Sequence, residues 1–136
     1  GIANKVMEIV ERENYIENCA IQGEYLMEKL QALYEYPIVG DIRGKGLMIG
    51  IEFVKDQKTK EPFETSVNVK GKITDNTLEE GLVVYPGGGS VDGVRGDHIL
   101  LAPPINITRE EVDLLYDRLE RAIKKTTDQV LGEKAF

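Results

Sequence analysis

The segment from residue 38 to residue 54, IVGDIRGKGLMIGIEFV, restricts the possible folds more than any other part of the sequence. It is rich in β-branched residues and interrupted by glycines, a pattern that predicts a strand, a tight turn and a second strand. Apolar residues recur at helical spacing both before this segment and near the end of the chain. The chain is therefore expected to combine a sheet with helices that each bury one side.

The predicted elements follow the order α-α-β-β-α-β-β-α. Asn14 is a plausible cap of the second helix, and Pro37 stops that helix because proline disfavours a helical residue before it. Gly81 suits a helix C-terminus, and TREE from Thr108 predicts a capping box. The helices are predicted over residues 2–10, 14–33, 66–80 and from 108 onward, and two further strands over 82–85 and 98–102. Short strands beside long one-sided helices predict an α+β fold, a small antiparallel or mixed sheet with helices packed on one face.

Composition bounds the class of protein. A chain of 136 residues with 41% hydrophobic and 30% charged residues fits a single folded domain over 1–136. The net charge of −7 argues against nucleic acid and anionic membranes as partners, and no apolar run approaches the ~20 residues of a membrane span. The single cysteine, Cys19, suits a cytoplasmic location. Helical periodicity is under way by Ile2, so we expect a domain cut from a longer protein.

A glycine-rich segment, YPGGGSVDGVRGDHILLAPP over residues 85–104, is the main candidate for function. A phosphate-binding Walker loop needs Lys and Ser or Thr after its last glycine, whereas Gly96 is followed by Asp97 and His98. The segment also joins two predicted strands, so no helix is expected to begin beside it. We therefore predict a flexible lid loop, in which the single cation Arg95 either binds a carboxylate or faces water.

Other reactive side chains have simpler interpretations. His98 is the only histidine, so a metal site is improbable and a hydrogen bond to the backbone is expected. Cys19 is predicted to be a small core residue, Lys45 to be solvated, and Arg43 to pair locally. No Ser/His/Asp set and no metal-ligand spacing is found in the sequence. Catalysis by these residues alone is therefore not expected.

Several blocks together resemble the C-terminal small domain of class III aminotransferases, which are pyridoxal-phosphate enzymes of the aspartate-aminotransferase fold. The blocks are VGDIRGKGLMIGIEFV (39–54), GLVVYPGGG (81–89) and GDHILLAPPINITREEVDLLYDRLERAI (96–123), with ANKVMEIVERENYIENCAIQGEYLMEKL (3–30) before them. The resemblance covers nearly the whole chain in order.

The resemblance implies transfer of an amino group between an amino compound and a 2-oxo acid. It implies that pyridoxal 5'-phosphate and its Schiff-base lysine belong to a large domain preceding this chain, so the fragment alone is expected to be inactive. It also implies that the small domain covers the active site and that the full-length protein is a homodimer. Exposed apolar surface on the first helices is then expected, because the large-domain contacts are missing.

The resemblance also bears on the substrate. Family members acting on ornithine or 4-aminobutyrate bind the substrate carboxylate with an arginine just before APP, where this chain has Leu100. Members of the omega-amino-acid:pyruvate kind carry an arginine in the preceding loop, where this chain has Arg95, although its spacing to GDH is not a clean match. Arg95 is therefore the expected substrate-binding residue. Aminomutase and decarboxylase chemistry stay open, and the alternative from another class is a non-catalytic α+β ligand-binding or dimerisation module.

Overall fold

A computed structural model describes residues 2–132 of the chain, which contain four α-helices and four strands in the predicted order. The helices are α1 (Ile2–Arg12), α2 (Tyr15–Leu30), α3 (Val69–Glu79) and α4 (Arg109–Leu131). The strands are β1 (Val39–Lys45), β2 (Met48–Phe53), β3 (Tyr85–Gly88) and β4 (Asp97–Leu101). Two 3-10 turns, Gln31–Glu35 and Thr65–Val67, follow α2 and precede α3. No helix within these residues has both the length and the apolar character needed to cross a membrane.

The four strands form one antiparallel sheet in the order β1-β2-β4-β3. Side chains alternate between its faces, so Ile42, Ile51 and Ile99, which are direct neighbours across three strands, are all buried. The opposite face, here called the open face, carries more polar and more exposed side chains. Its members include Asp41, Arg43, Gly50, Glu52, His98 and Leu100. The predicted α+β fold with helices on one face is confirmed.

The core lies between the buried face of the sheet and helices α2, α3 and α4. Leu26, Ile73 and Leu119, one from each helix, are fully buried and belong to the same hydrophobic cluster as the central strands. Helix α4 begins with the predicted capping box, in which Thr108 Oγ1 accepts a hydrogen bond from the Glu111 amide at 3.2 Å. The Glu111 carboxylate accepts in return from the Thr108 amide at 3.1 Å.

Helix α1 contributes nothing to this core. None of its residues is buried, and the side chains of Ile2, Val6 and Met7 are 87%, 53% and 53% exposed. The expected apolar surface on the first helices is therefore present, and it lies along the side that the helical spacing marked as apolar.

Several element boundaries differ from the prediction, among them the start of α3, which lies at Val69 and not at Ser66. The strand expected over 82–85 begins at Tyr85 and runs on through the first glycines to Gly88, because pairing with β4 holds these residues extended. Helix α2 ends at Leu30 and tightens into a 3-10 turn, whereas a helix to residue 33 was expected. Asn14 precedes α2 in a left-handed conformation, φ 56°, and its side chain makes no capping bond. Gly81 has the expected positive φ, 78°.

The two outer strands of the sheet are irregular. Strand β3 has four residues, and one of them, Pro86, lacks an amide hydrogen. Strand β1 contains a register shift between Val39 and Asp41 and ends in the exposed Lys45. Both edges therefore offer fewer regularly spaced backbone donors than a long flat strand would.

Candidate functional site

The loop between β3 and β4, residues 89–96, is here called the glycine loop. It has turn structure of its own, because the Asp92 carboxylate accepts hydrogen bonds from the amides of Val94 (3.0 Å) and Arg95 (2.6 Å). The Val91 amide donates to the Arg95 carbonyl at 3.0 Å, and Gly93 donates to Gly89 at the same distance. The sequence analysis did not predict this turn, in which a short acidic side chain closes on the backbone that follows it.

Glycines are required at defined points of this loop. Gly96 is buried with φ 112°, and a Cβ there would lie 2.5 Å from Ser90 Oγ and within 3 Å of two backbone nitrogens. Gly89 and Gly93 also have positive φ, 71° and 84°. These glycines let the chain fold back on itself and bring its ends together at the start of β4.

Arg95 is held between two carboxylates. Its Nε donates to Asp92 Oδ2 at 2.9 Å, and its Nη1 lies 3.2 Å from Glu64 Oε1, while 35% of the side chain stays exposed. The Arg95 amide, the Arg95 guanidinium and the Val94 amide together lower the pKa of Asp92 to about 2. The same two carboxylates, Asp92 first, raise the pKa of Arg95. The loop cation is thus fully charged and already paired.

The base of the glycine loop lies beside a helix N-terminus, which was not expected from a strand-to-strand connection. The Lys70 amide in the first turn of α3 donates to Asp97 Oδ1 at 3.2 Å. Tertiary packing of α3 against β3 and β4 brings the two together, although they are 27 residues apart in the chain. Because the Asp97 carboxylate accepts a hydrogen bond from this amide, the N-terminus of α3 is already paired with an anion of the protein itself.

A hollow of about 100 Å³ lies on the open face next to the glycine loop. It is lined by Arg43, Gly50, Ile51, Glu52, Ser90 and His98. Arg43 pairs locally as predicted, with Asp41 at 2.5 Å and Glu52 at 3.3 Å.

His98 differs from its prediction. Its Nδ1 is buried without a hydrogen-bond partner among the described residues, whereas a bond to the backbone was expected. The ring packs over Gly87, where a Cβ would lie 2.2 Å from Nε2, so a side chain at position 87 would displace the imidazole. Leu100 belongs to the same face, paired with Gly50 on one side and Tyr85 on the other. The open face and the glycine loop together form the candidate functional site.

The remaining predicted residues lie away from this site. Cys19 was predicted to be a core residue, but it is half-buried in α2 and packs against the outside of the core. Lys45 is exposed at the end of β1, as predicted. In the part of the chain that the structure describes, no group of three or more His, Cys, Asp or Glu side chains is placed to hold a metal ion.

The described residues do not form a site for a cofactor bound through a lysine. All lysines between residues 2 and 132 are exposed or half-buried, whereas a Schiff-base lysine acts from within an enclosed cavity. Lys29, one of the least exposed, is bound to Asp113 at 2.7 Å on the outer surface of α2 and α4.

Comparison with known proteins identifies the family. The model of the aminotransferase class-III family matches residues 1–123, so the chain belongs to this family. An uncharacterized aminotransferase of Schizosaccharomyces pombe is 46% identical over 122 residues, which cover 89% of this chain and 27% of that protein.

Two solved structures show the same fold. The (S)-enantioselective omega-transaminase of Thermomicrobium roseum has a TM-score of 0.80 and 33% identity, covering 92% of this chain and 26% of that one. An amine transaminase from an uncultivated Pseudomonas species, in its PLP-bound form, has a TM-score of 0.77 and 36% identity, covering 89% and 26%. The chain spans about a quarter of the length of the proteins it matches.

Proposed function

We propose that this chain is the C-terminal small domain of a pyridoxal-phosphate-dependent transaminase, which moves an amino group between an amino compound and a 2-oxo acid. Family membership and the PLP-bound Pseudomonas structure support the cofactor. When bound, PLP draws electrons from the carbon that carries the amino group. By analogy with the family to which the chain belongs, we assign the residues that bind PLP to a large domain preceding this chain.

The observation that carries the proposal is the arrangement of Leu100 and Arg95. Leu100 stands on the open face between Gly50 and Tyr85, so this strand offers no cation at that point. The guanidinium of Arg95 is in the adjacent glycine loop, whose Ser90 lines the hollow on the same face. A carboxylate-binding group on a loop, in place of one fixed on the strand, favours the omega-amino-acid:pyruvate kind of transaminase.

The residues of this chain have two roles in the proposed reaction. Arg95 binds the carboxylate of the substrate through parallel N–H···O bonds, which hold it in one orientation. The open face and the glycine loop cover the site and exclude water from it. The alternative of a non-catalytic module has less support, because the family to which the chain belongs is one of aminotransferases.

The exposed apolar side of α1 supports the assignment to a larger protein. Ile2, Val6 and Met7 form a surface that a soluble domain normally covers, and we assign it to contacts within the full-length homodimer. A cytoplasmic location accords with the free Cys19.

The experiment that tests this function is steady-state kinetics of the full-length protein with a panel of amines against pyruvate and 2-oxoglutarate. Arg95→Ala should raise KM for acceptors that bear a carboxylate by roughly tenfold or more, because charge-assisted bonds are lost. KM for simple amines without a carboxylate should not change. Arg121→Ala is the matched control, since Arg121 pairs with Glu80 at 2.8 Å on the helical side of the domain. Equal losses for both substrate types would remove the role assigned to Arg95.

A further inference from the structure

The two carboxylates that hold Arg95 differ in what else they bind. Asp92 belongs to the glycine loop and also accepts from two backbone amides of that loop, so it maintains the turn. Glu64 comes from a segment 31 residues away and is 67% exposed. Among the described residues, its carboxylate has no hydrogen-bond partner other than Arg95. Glu64 therefore neutralises Arg95 without shaping the loop.

The guanidinium offers two edges on which a carboxylate can bind with both oxygens. One edge consists of Nε and Nη2, and the other of Nη1 and Nη2. Asp92 occupies Nε and Glu64 occupies Nη1, while Nη2 has no hydrogen-bond partner in the described part of the chain. Each edge is thus half occupied, and an incoming carboxylate gains a two-bond contact only by displacing one of the two residues.

Displacement of Glu64 costs less than displacement of Asp92. Asp92 is tied to the Val94 and Arg95 amides, so moving it opens the turn of the loop. Glu64 makes an exposed ion pair, a kind of contact that contributes little in water. A substrate carboxylate can therefore replace Glu64 on the Nη1 and Nη2 edge while the loop keeps its shape.

We propose that Glu64 competes with the substrate carboxylate for Arg95 and so sets the apparent affinity of the site for carboxylate-bearing substrates. This inference rests on the function proposed above. An exposed ion pair favours the paired state by about 1.5- to fivefold. When pairing within the protein competes with a ligand, the apparent affinity for the ligand is reduced, and removing the competing pair restores it. Removal of the Glu64 charge is expected to lower KM for such substrates by roughly two- to sixfold.

Glu64→Gln in the full-length protein tests the inference. KM for pyruvate should fall by about that factor with kcat unchanged, and KM for an amine without a carboxylate should stay constant. Inhibition by acetate, which binds without reacting, should strengthen by the same factor. Glu61→Gln is the matched control. It removes the same charge from an exposed side chain that lies three residues before Glu64. The change should also vanish when Glu64→Gln is combined with Arg95→Ala.

The possible outcomes distinguish failure of this inference from failure of the proposed function. If Arg95→Ala is selective for carboxylates but Glu64→Gln behaves like Glu61→Gln, the inference is overturned and the proposed function stands. If the Glu64→Gln effect persists without Arg95, it acts through general charge, and the inference is overturned as well. If Arg95→Ala affects all substrates equally, both the role of Arg95 and the inference fail.

Discussion

Gly23 lies where the middle of helix α2 meets the turn between β1 and β2. It is buried, and a Cβ at this position would lie 2.3 Å from the carbonyl oxygen of Gly46 and 2.8 Å from its Cα. The obstructing atoms are backbone, so the overlap is relieved only if the helix and the turn move apart. A normal contact of about 3.4 Å would require a separation of roughly 1 Å.

Gly23→Ala is therefore expected to destabilise the chain although alanine favours helix. The gain in helix propensity is about 1 kcal/mol, while overpacking of a close contact costs about 1–3 kcal/mol and here falls on backbone. Because backbone atoms cannot rotate away, we expect the cost to lie at the upper end of this range, which gives a net loss of about 2 kcal/mol in the free energy of unfolding. Urea unfolding followed by circular dichroism measures it, and the denaturant slope should stay constant.

Gly71→Ala is the matched control because Gly71 is also a helical glycine. A Cβ there would contact only the end of the Asn68 side chain among its nearest atoms, at 2.4 Å, and that side chain can rotate away. This variant should be as stable as the parent or more stable. A Gly23→Ala protein with parental stability would refute the argument that close approach to Gly46 requires glycine. Equal destabilisation of both variants would show a general effect of the substitution.

Two further predictions concern the capping box and the glycine loop. Thr108→Ala should lower the free energy of unfolding by about 1 kcal/mol, because Thr108 Oγ1 caps the Glu111 amide, and denaturant titration would show no shift if the cap is unimportant. The pKa of Asp92, about 2, lies below its ordinary 3.8, so its contribution to loop stability is complete above pH 3.8 and is lost as pH falls through about 2. Carboxyl NMR should show the Asp92 titration midpoint at about 2 in the parent protein. In Arg95→Met the midpoint should be higher but still below 3.8, because the hydrogen bonds from the backbone amides remain. A midpoint near 3.8 in the parent protein would contradict this prediction.

The sequence predicted the elements whose signals are local. The capping box at Thr108, the positive φ of Gly81 and the helical stripe through Leu119 all depend on residues within a few positions of one another. The strand at 82–85 was misplaced because its apolar pattern is strand-like, whereas pairing with β4 begins only at Tyr85 and extends to Gly88. Register across a sheet is a tertiary property that one strand does not encode.

The candidate site was predicted only in part. Arg95 was predicted as a substrate-binding residue because it is the one cation in a glycine-rich loop, and the Asp92–Gly93 pair is a turn signal in the same loop. Glu64 has no local signal, since it meets Arg95 only through folding across 31 residues. The same holds for the Lys70 amide that meets Asp97 across 27 residues.

The blunted margins of the sheet have a consequence for self-association. A strand from another chain that paired with β3 would meet only four residues, of which Pro86 has no amide hydrogen. A strand that paired with β1 would meet a register shift and the charge of Lys45. Fibril-like stacking of identical copies needs long, regular edges of the opposite character. The two outer strands therefore do not favour association of copies of this chain through strand pairing.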